Sequence, residues 1–170
     1  MKRGLYVGRF QPFHNGHMSV IESIVNTNEV DELIIGIGSA DISHDIRHPF
    51  TAGERVLMIT RSLDGLGIPF YVIPLEDVKR NALWVAHVKS MVPPFNIVYT
   101  SNPLVVQLFT EAGIPVHSPP MHLRESLSGT SVRKKMLAGD SWKESVPQEV
   151  VSVINEVHGI ERLQQISKTD

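Results

Sequence analysis

The sequence predicts an α/β protein: a Rossmann-like, doubly wound sheet of about five parallel strands, with helices on both faces and a C-terminal helical segment. Three observations predict it. Short, continuous apolar runs, as expected of strands buried on both faces, recur along the chain. Helical periodicity fills most of the intervals between them. The 170 residues, 42% hydrophobic and 20% charged, suit one domain spanning 1–170 with a full core.

Leu5-Tyr6-Val7 reads as the first strand, ended by Gly8. Ile21, Ile24 and Val25 then fit one face of a helix that runs from Met18, with its start near Asn15 or Gly16. Leu33 to Gly38 is the second strand, followed by a polar loop from Ser39 to Pro49. Thr51-Ala52-Gly53-Glu54 forms a capping box for a helix continued by Val56, Leu57, Ile59 and Leu63. Phe70 to Ile73 is the third strand, bounded by Pro69 and Pro74, and a helix is expected near Leu83. Asn96 to Thr100 is the fourth strand. Pro103 suits the first turn of the next helix and Gly113 its end. Ile114 to Val116 reads as a short fifth strand. After a loop, Thr130 to Ala138 (capped by Thr130 and stopped by Gly139) and Val146 to Val157 read as helices. The chain from about 163 is expected to fray.

Composition narrows the functional classes. A net charge of −2 argues against indiscriminate nucleic-acid binding but permits a local basic pocket. With no cysteine, disulfides, thiolate catalysis and Cys-based zinc sites are excluded. Met1 to Val7 holds no long apolar segment before a cleavage site, and no apolar run approaches the roughly 20 residues that span a bilayer. A cytoplasmic protein without a membrane partner is the expectation.

The polar clusters 8–17, 39–48, 76–84 and 100–102 each follow a strand. Ligands of doubly wound sheets bind beyond the carboxyl ends of the strands, so these clusters are expected to converge on one site. The densest is Gly8-Arg9-Phe10-Gln11-Pro12-Phe13-His14-Asn15-Gly16-His17. A strand-to-helix turn presents backbone N–H groups and a positive helix end to an anion. His14 and His17 add N–H donors, Arg9 a planar fork, and Gly16 a close backbone approach. Ser128-Gly129-Thr130 is a second phosphate-binding turn, with Arg133 in the turn that follows. Zinc fits poorly, because His14-x-x-His17 lacks the glutamate and spacing of the His-Glu-x-x-His motif. His44 and His48 stand in a loop that ends at Pro49. The glycines match neither the dinucleotide fingerprint nor the P-loop, which disfavours hydride transfer. Two readings stay open for Trp84, a core residue or a platform for a flat ring, and two for Arg47, a surface residue or a phosphate ligand.

Phe10 to His17 resembles the His-x-Gly-His signature of the nucleotidyltransferase superfamily, and Ser128 to Arg133 its second signature. With Ile37 to Ala40, Arg47 to Arg55 and Asn81 to Val85, the chain to about Arg162 resembles the archaeal type of nicotinamide-mononucleotide (NMN) adenylyltransferase. Gly129 replaces a hydroxyl residue of the broader signature, and Leu127 stands where an aromatic would be expected. The resemblance implies transfer of the adenylyl group of ATP to NMN, by in-line attack of the mononucleotide phosphate on the α-phosphate, giving NAD and pyrophosphate. It implies catalytic roles for His14, His17 and Arg133. Gly8, Arg9, Phe10, Gly16, Arg47, Ser128, Gly129 and Thr130 are expected around ATP, and Ser39, Asn81 and Trp84 around NMN. Mg²⁺ is expected to bridge ATP phosphates, with no evident all-protein cage for it. A homo-oligomer, commonly a hexamer, is implied as well. Phosphopantetheine or flavin mononucleotide as acceptor, or a non-catalytic nucleotide sensor, are the alternatives.

Overall fold

The computed structural model describes residues 1–119 and 127–168. The expected loop over 120–126 and the last two residues of the tail lie outside this range. Strand β1 (Arg3–Gly8) leads into α1 (Asn15–Asn26), β2 (Glu32–Ile37), α2 (Ala52–Ser62) and β3 (Phe70–Pro74). A 3₁₀ turn, Asn81–Leu83, opens directly into α3 (Trp84–Met91), which is followed by β4 (Ile97–Tyr99), α4 (Pro103–Glu111) and β5 (Val116–His117). The described chain closes with α5 (Gly129–Ala138), a 3₁₀ turn at Trp142–Ser145, α6 (Gln148–Glu156) and α7 (Gly159–Ile166).

The strands are all parallel, in the order β3-β2-β1-β4-β5. Leu5 of β1 pairs with Ile34 of β2 and Val98 of β4. These three side chains face one layer, where Val88 of α3 and Phe109 of α4 cover them. Their neighbours Tyr6, Leu33, Ile35, Ile97 and Tyr99 face the other layer, packed on α1, α2 and the C-terminal helices. Every residue of β2 is buried, as its unbroken apolar run requires. Glu32, at the buried start of that run, is held by Arg3 and by the Tyr71 hydroxyl. From β1 the chain winds outward to β2 and β3, then crosses to β4 on the far side of β1. The carboxyl ends of β1 and β4 therefore flank the crevice where such sheets bind ligands.

The structure corrects several expectations. Helix α1 starts at Asn15 as expected, but β5 is shifted to Val116–His117. Ser128, rather than Thr130, caps α5: its hydroxyl accepts from the Ser131 N–H at 3.1 Å. The expected fraying from 163 does not occur over the described residues. His158, at φ 53°, turns the chain between α6 and α7, and Leu163 is buried with Ile160 and Ile166 packed beside it. This apolar stripe at a spacing of three residues is what keeps the C-terminal segment helical. Among the described residues, no helix is long and apolar enough to cross a membrane.

Candidate active site

At the end of β1 the backbone of Phe10 adopts φ 54° and its ring folds back over Gly8. A Cβ on Gly8 would lie 2.8 Å from that ring. The ring is 1% exposed, stands edge-on to His17 at 4.8 Å and contacts Tyr6 and Phe13. Besides lying where contact with ATP is expected of it, the Phe10 side chain supports His17.

The two histidines cap their own helix. His14 Nδ1 accepts from the Gly16 and His17 N–H groups, at 3.1 and 3.4 Å, and His17 Nδ1 accepts from the His14 N–H at 3.1 Å. This is a capping box built from imidazoles in place of hydroxyl and carboxylate. The rings stack with centroids 3.6 Å apart. With each Nδ1 lone pair in use, each neutral ring carries its proton on Nε2. Burial, and secondarily the Arg133 charge, push the His14 pKa down to about 4. Burial and then His14 hold His17 well below the ordinary histidine value. Gly16 makes room for this pair, since a Cβ there would sit 2.9 Å from His14 Cε1.

The second signature closes on the first. Arg133 donates to the Gln11 carbonyl at 2.7 Å and to Thr130 Oγ1 at 3.3 Å. Its guanidinium lies over Gly129, where a Cβ would be 2.9 Å from Nη1. Burial lowers the Arg133 pKa; Arg9 and Arg47 lower it further by repulsion, and Asp45 opposes them.

Two cavities open at the carboxyl end of the sheet. The first, about 590 Å³, is lined by Arg9, His17, Arg47, Thr130, Arg133 and Lys134, among others. Four of these are cations, and no carboxylate lines it among the described residues. Ligands carrying several negative charges fit such a field. The second, about 410 Å³, is lined by Ser39, Asp77, Asn81, Trp84, Thr100 and Asn102 with apolar residues of α4. Ser39 Oγ donates to Asp77 at 2.9 Å, and the half-buried Trp84 ring stands edge-on to Phe109 at 5.7 Å. Arg9 lines both cavities.

The expected site residues thus divide. Arg9, Phe10, His17, Arg47, Gly129, Thr130 and Arg133 gather at the first cavity, and Ser39, Asn81 and Trp84 at the second. Gly8, expected with the first set, lines the second. His14, Gly16 and Ser128 line neither; His14 is buried against His17, and Ser128 borders a neighbouring depression with Lys134 and Lys135. Among the described residues there is no group of three or more His, Asp or Glu side chains that could hold a metal ion.

Sequence reasoning missed two residues that hold this site together. Arg55, fully buried, donates to the carbonyls of Arg9 (2.8 Å), Gly38 (3.0 Å), Ser39 (3.2 Å) and Thr51 (3.1 Å). Burial lowers its pKa to about 10, against the opposing pull of Glu54, Asp41 and Asp77. Its signal was available: an arginine three and four residues before the core positions Met58 and Ile59 lies on the apolar face of α2. Gln11 exchanges two hydrogen bonds with the backbone of Phe50, both at 2.9 Å. The sequence contains no spacing that betrays such a pair.

Residues 5–135 match the cytidylyltransferase-like family. The chain is 81% identical to the nicotinamide-nucleotide adenylyltransferase of Methanocorpusculum labreanum and 62% identical to that of Methanoculleus marisnigri, covering all of each. It is similar in fold to a bifunctional NMN adenylyltransferase/ADP ribose pyrophosphatase of Francisella tularensis, solved with AMP and a Mn ion. That match has a TM-score of 0.72 at 21% identity and covers 96% of this chain, which spans only 52% of the two-activity protein. The nicotinic acid mononucleotide adenylyltransferase of Plasmodium falciparum, complexed with APC, gives 0.66 at 13% identity over 94% of this chain and 97% of its own. With its fold, its two tied signatures and these relatives in agreement, the chain belongs to the cytidylyltransferase-like family, alongside the archaeal nicotinamide-nucleotide adenylyltransferases.

Proposed function

We propose that residues 1–170 form one nucleotidyltransferase domain that joins ATP and NMN into NAD and pyrophosphate. The observation that carries this reading is the pair of cavities with Arg9 between them: one strongly cationic, one built around Trp84 and Asn81. The cationic cavity suits a triphosphate. The second suits a flat ring with an amide, Trp84 offering an aromatic face and Asn81 both donor and acceptor.

A phosphate oxygen of NMN attacks the α-phosphorus of ATP. The bond from that phosphorus to the bridging oxygen breaks, and its electron pair leaves with pyrophosphate. The Nε2–H groups of His14 and His17 donate to ATP phosphate oxygens, and Arg133 stabilises charge on the departing pyrophosphate. Because both rings are already locked by their caps, the donors need no reorganisation during the reaction. Removing one such donor is expected to cost about 3–4 kcal/mol in the barrier. Arg47 and Lys134 add charge around the triphosphate. A divalent cation such as Mg²⁺, entering with the nucleotide, would neutralise phosphate charge. The chain is read as a homo-oligomer, which light scattering will measure.

Incubation with Mg-ATP and NMN should yield NAD and pyrophosphate in equal amounts. Absence of NAD across metals and temperatures, or faster turnover with phosphopantetheine or flavin mononucleotide, would overturn the assignment of the acceptor.

A further inference from the structure

Helix α7 lies beyond the 5–135 segment that matches the family, yet it grips the loop that carries Arg47. Arg162 Nη1 donates to the Pro49 carbonyl at 3.0 Å and to Glu54 Oε2 at 2.7 Å, and Nη2 donates to Glu54 Oε1 at 2.8 Å. This is a bidentate pair, both side chains largely buried, with the Arg162 pKa raised and the Glu54 pKa lowered as a result. Glu54 in turn accepts from the Thr51 N–H at 3.2 Å. One turn earlier in α7, Gly159 lies so close to Phe50 that a Cβ would fall 2.8 Å from the ring. Ile166, one turn later, borders the same depression as residues 44–48.

The gripped segment reaches the cationic cavity by two routes. Arg47 precedes Pro49 by two residues, in a tight turn whose Arg47 and His48 N–H groups both donate to Asp45, at 2.8 and 2.7 Å. Phe50 pairs with Gln11, and the Gln11 carbonyl holds Arg133. Arg162 itself lines neither cavity. We propose that Arg162 is a positioning residue for nucleotide binding, acting through Pro49 and Glu54 to hold Arg47 and Arg133 against the triphosphate. The proposal rests on the reading of the cationic cavity as the ATP site.

The test compares Arg162→Met, which keeps length and loses every donor, with Arg162→Lys and Glu54→Gln. Steady-state kinetics are run well below each melting temperature, and binding of ATP alone is measured by calorimetry. Arg162→Met should raise KM for ATP and weaken ATP binding by about tenfold or more. KM for NMN should stay within about twofold, because none of Arg47, Pro49, Phe50 and Glu54, the residues that α7 holds or steers, lines the second cavity. Arg162→Lys, with charge but no fork, should fall between. A lower melting temperature with unchanged ATP binding in all three variants overturns the proposal, as does an equal rise of both KM values. Weakened ATP binding in a protein that makes no NAD at all would keep the clamp and discard the acceptor; an unmodified chain that does not bind ATP discards the reading of the cavity itself.

Discussion

An alanine at position 129 would place its Cβ 2.9 Å from Arg133 Nη1 and 3.4 Å from the Gln11 carbonyl oxygen. Ordinary contact begins near 3.4 Å, so the guanidinium must retreat by about 0.5 Å while the backbone need scarcely move. Arg133 is pinned to the Gln11 carbonyl at 2.7 Å, and that hydrogen bond is what the retreat breaks. A hydrogen bond from a charged group is worth about 1.5–3 kcal/mol. If that energy is lost from the positioning of Arg133 on the leaving pyrophosphate, turnover falls about ten- to hundredfold. The fold has no corresponding reason to suffer: residue 129 opens α5, and alanine is the better helix former by up to about 1 kcal/mol. Gly129→Ala should therefore melt within a few degrees of the unmodified protein while kcat at saturating ATP and NMN drops by that factor. Scanning calorimetry and a coupled NAD assay on the same preparation decide it. A kcat within about twofold of the unmodified protein would refute the idea that this glycine exists to seat the arginine.

Acid stability offers a second test. The His14 pKa is lowered to about 4, so the unfolded chain, near 6.5, takes up the proton first. The stabilisation this gives is fully present above pH 6.5 and is lost as pH falls towards 4, about 3 kcal/mol in all. His14→Asn keeps a capping acceptor without a titrating ring, and denaturant melts from pH 6.5 to 4.5 should show a shallower loss; an unchanged slope would be contrary. Arg55→Met takes the guanidinium donor from the Arg9 and Gly38 carbonyls, while the Ser39 carbonyl keeps the Ile42 N–H, and should cost at least about 3 kcal/mol. For a chain of this size that is a fall of roughly 6–12 °C in Tm, which a thermal melt reads directly. Trp84→Ala should raise KM for NMN about 5- to 150-fold, the equivalent of 1–3 kcal/mol of stacking, with KM for ATP unchanged; a parallel rise in both would place Trp84 in the core instead.

The parallel sheet and its two covering layers were legible because they follow from burial, and burial writes itself into apolar runs such as Leu33 to Ile37; the strand order was not read. The signature residues were legible too, as residue types at a strand-to-helix turn. Their local geometry was not. His14 and His17 read as two donors three apart, but the reciprocal cap that fixes their tautomers depends on the backbone angle at which α1 begins. Ser128 and Thr130 are both competent caps, and only the start of α5 distinguishes them. Phe10 read only as a residue near ATP, and its burial was not legible, because a positive φ that folds a ring back over Gly8 leaves no periodic trace. Arg55 and Gln11 bond to backbone carbonyls and N–H groups contributed by distant loops, and a main-chain partner carries no residue identity for a sequence to display. The same holds for Arg162 and Pro49.

Arg9 forms wall for both cavities while its carbonyl is tethered by Arg55. If the two cavities hold the proposed substrates, one exposed guanidinium on a tethered backbone cannot serve two anions independently. Whatever the triphosphate does to its orientation is felt by the mononucleotide, and thermodynamic reciprocity makes the factor equal in both directions. On the proposed assignment of the cavities, the two substrates would be coupled through a single side chain. Shortening it to alanine should make the dissociation constant for each ligand indifferent to the presence of the other, even where both bind more weakly.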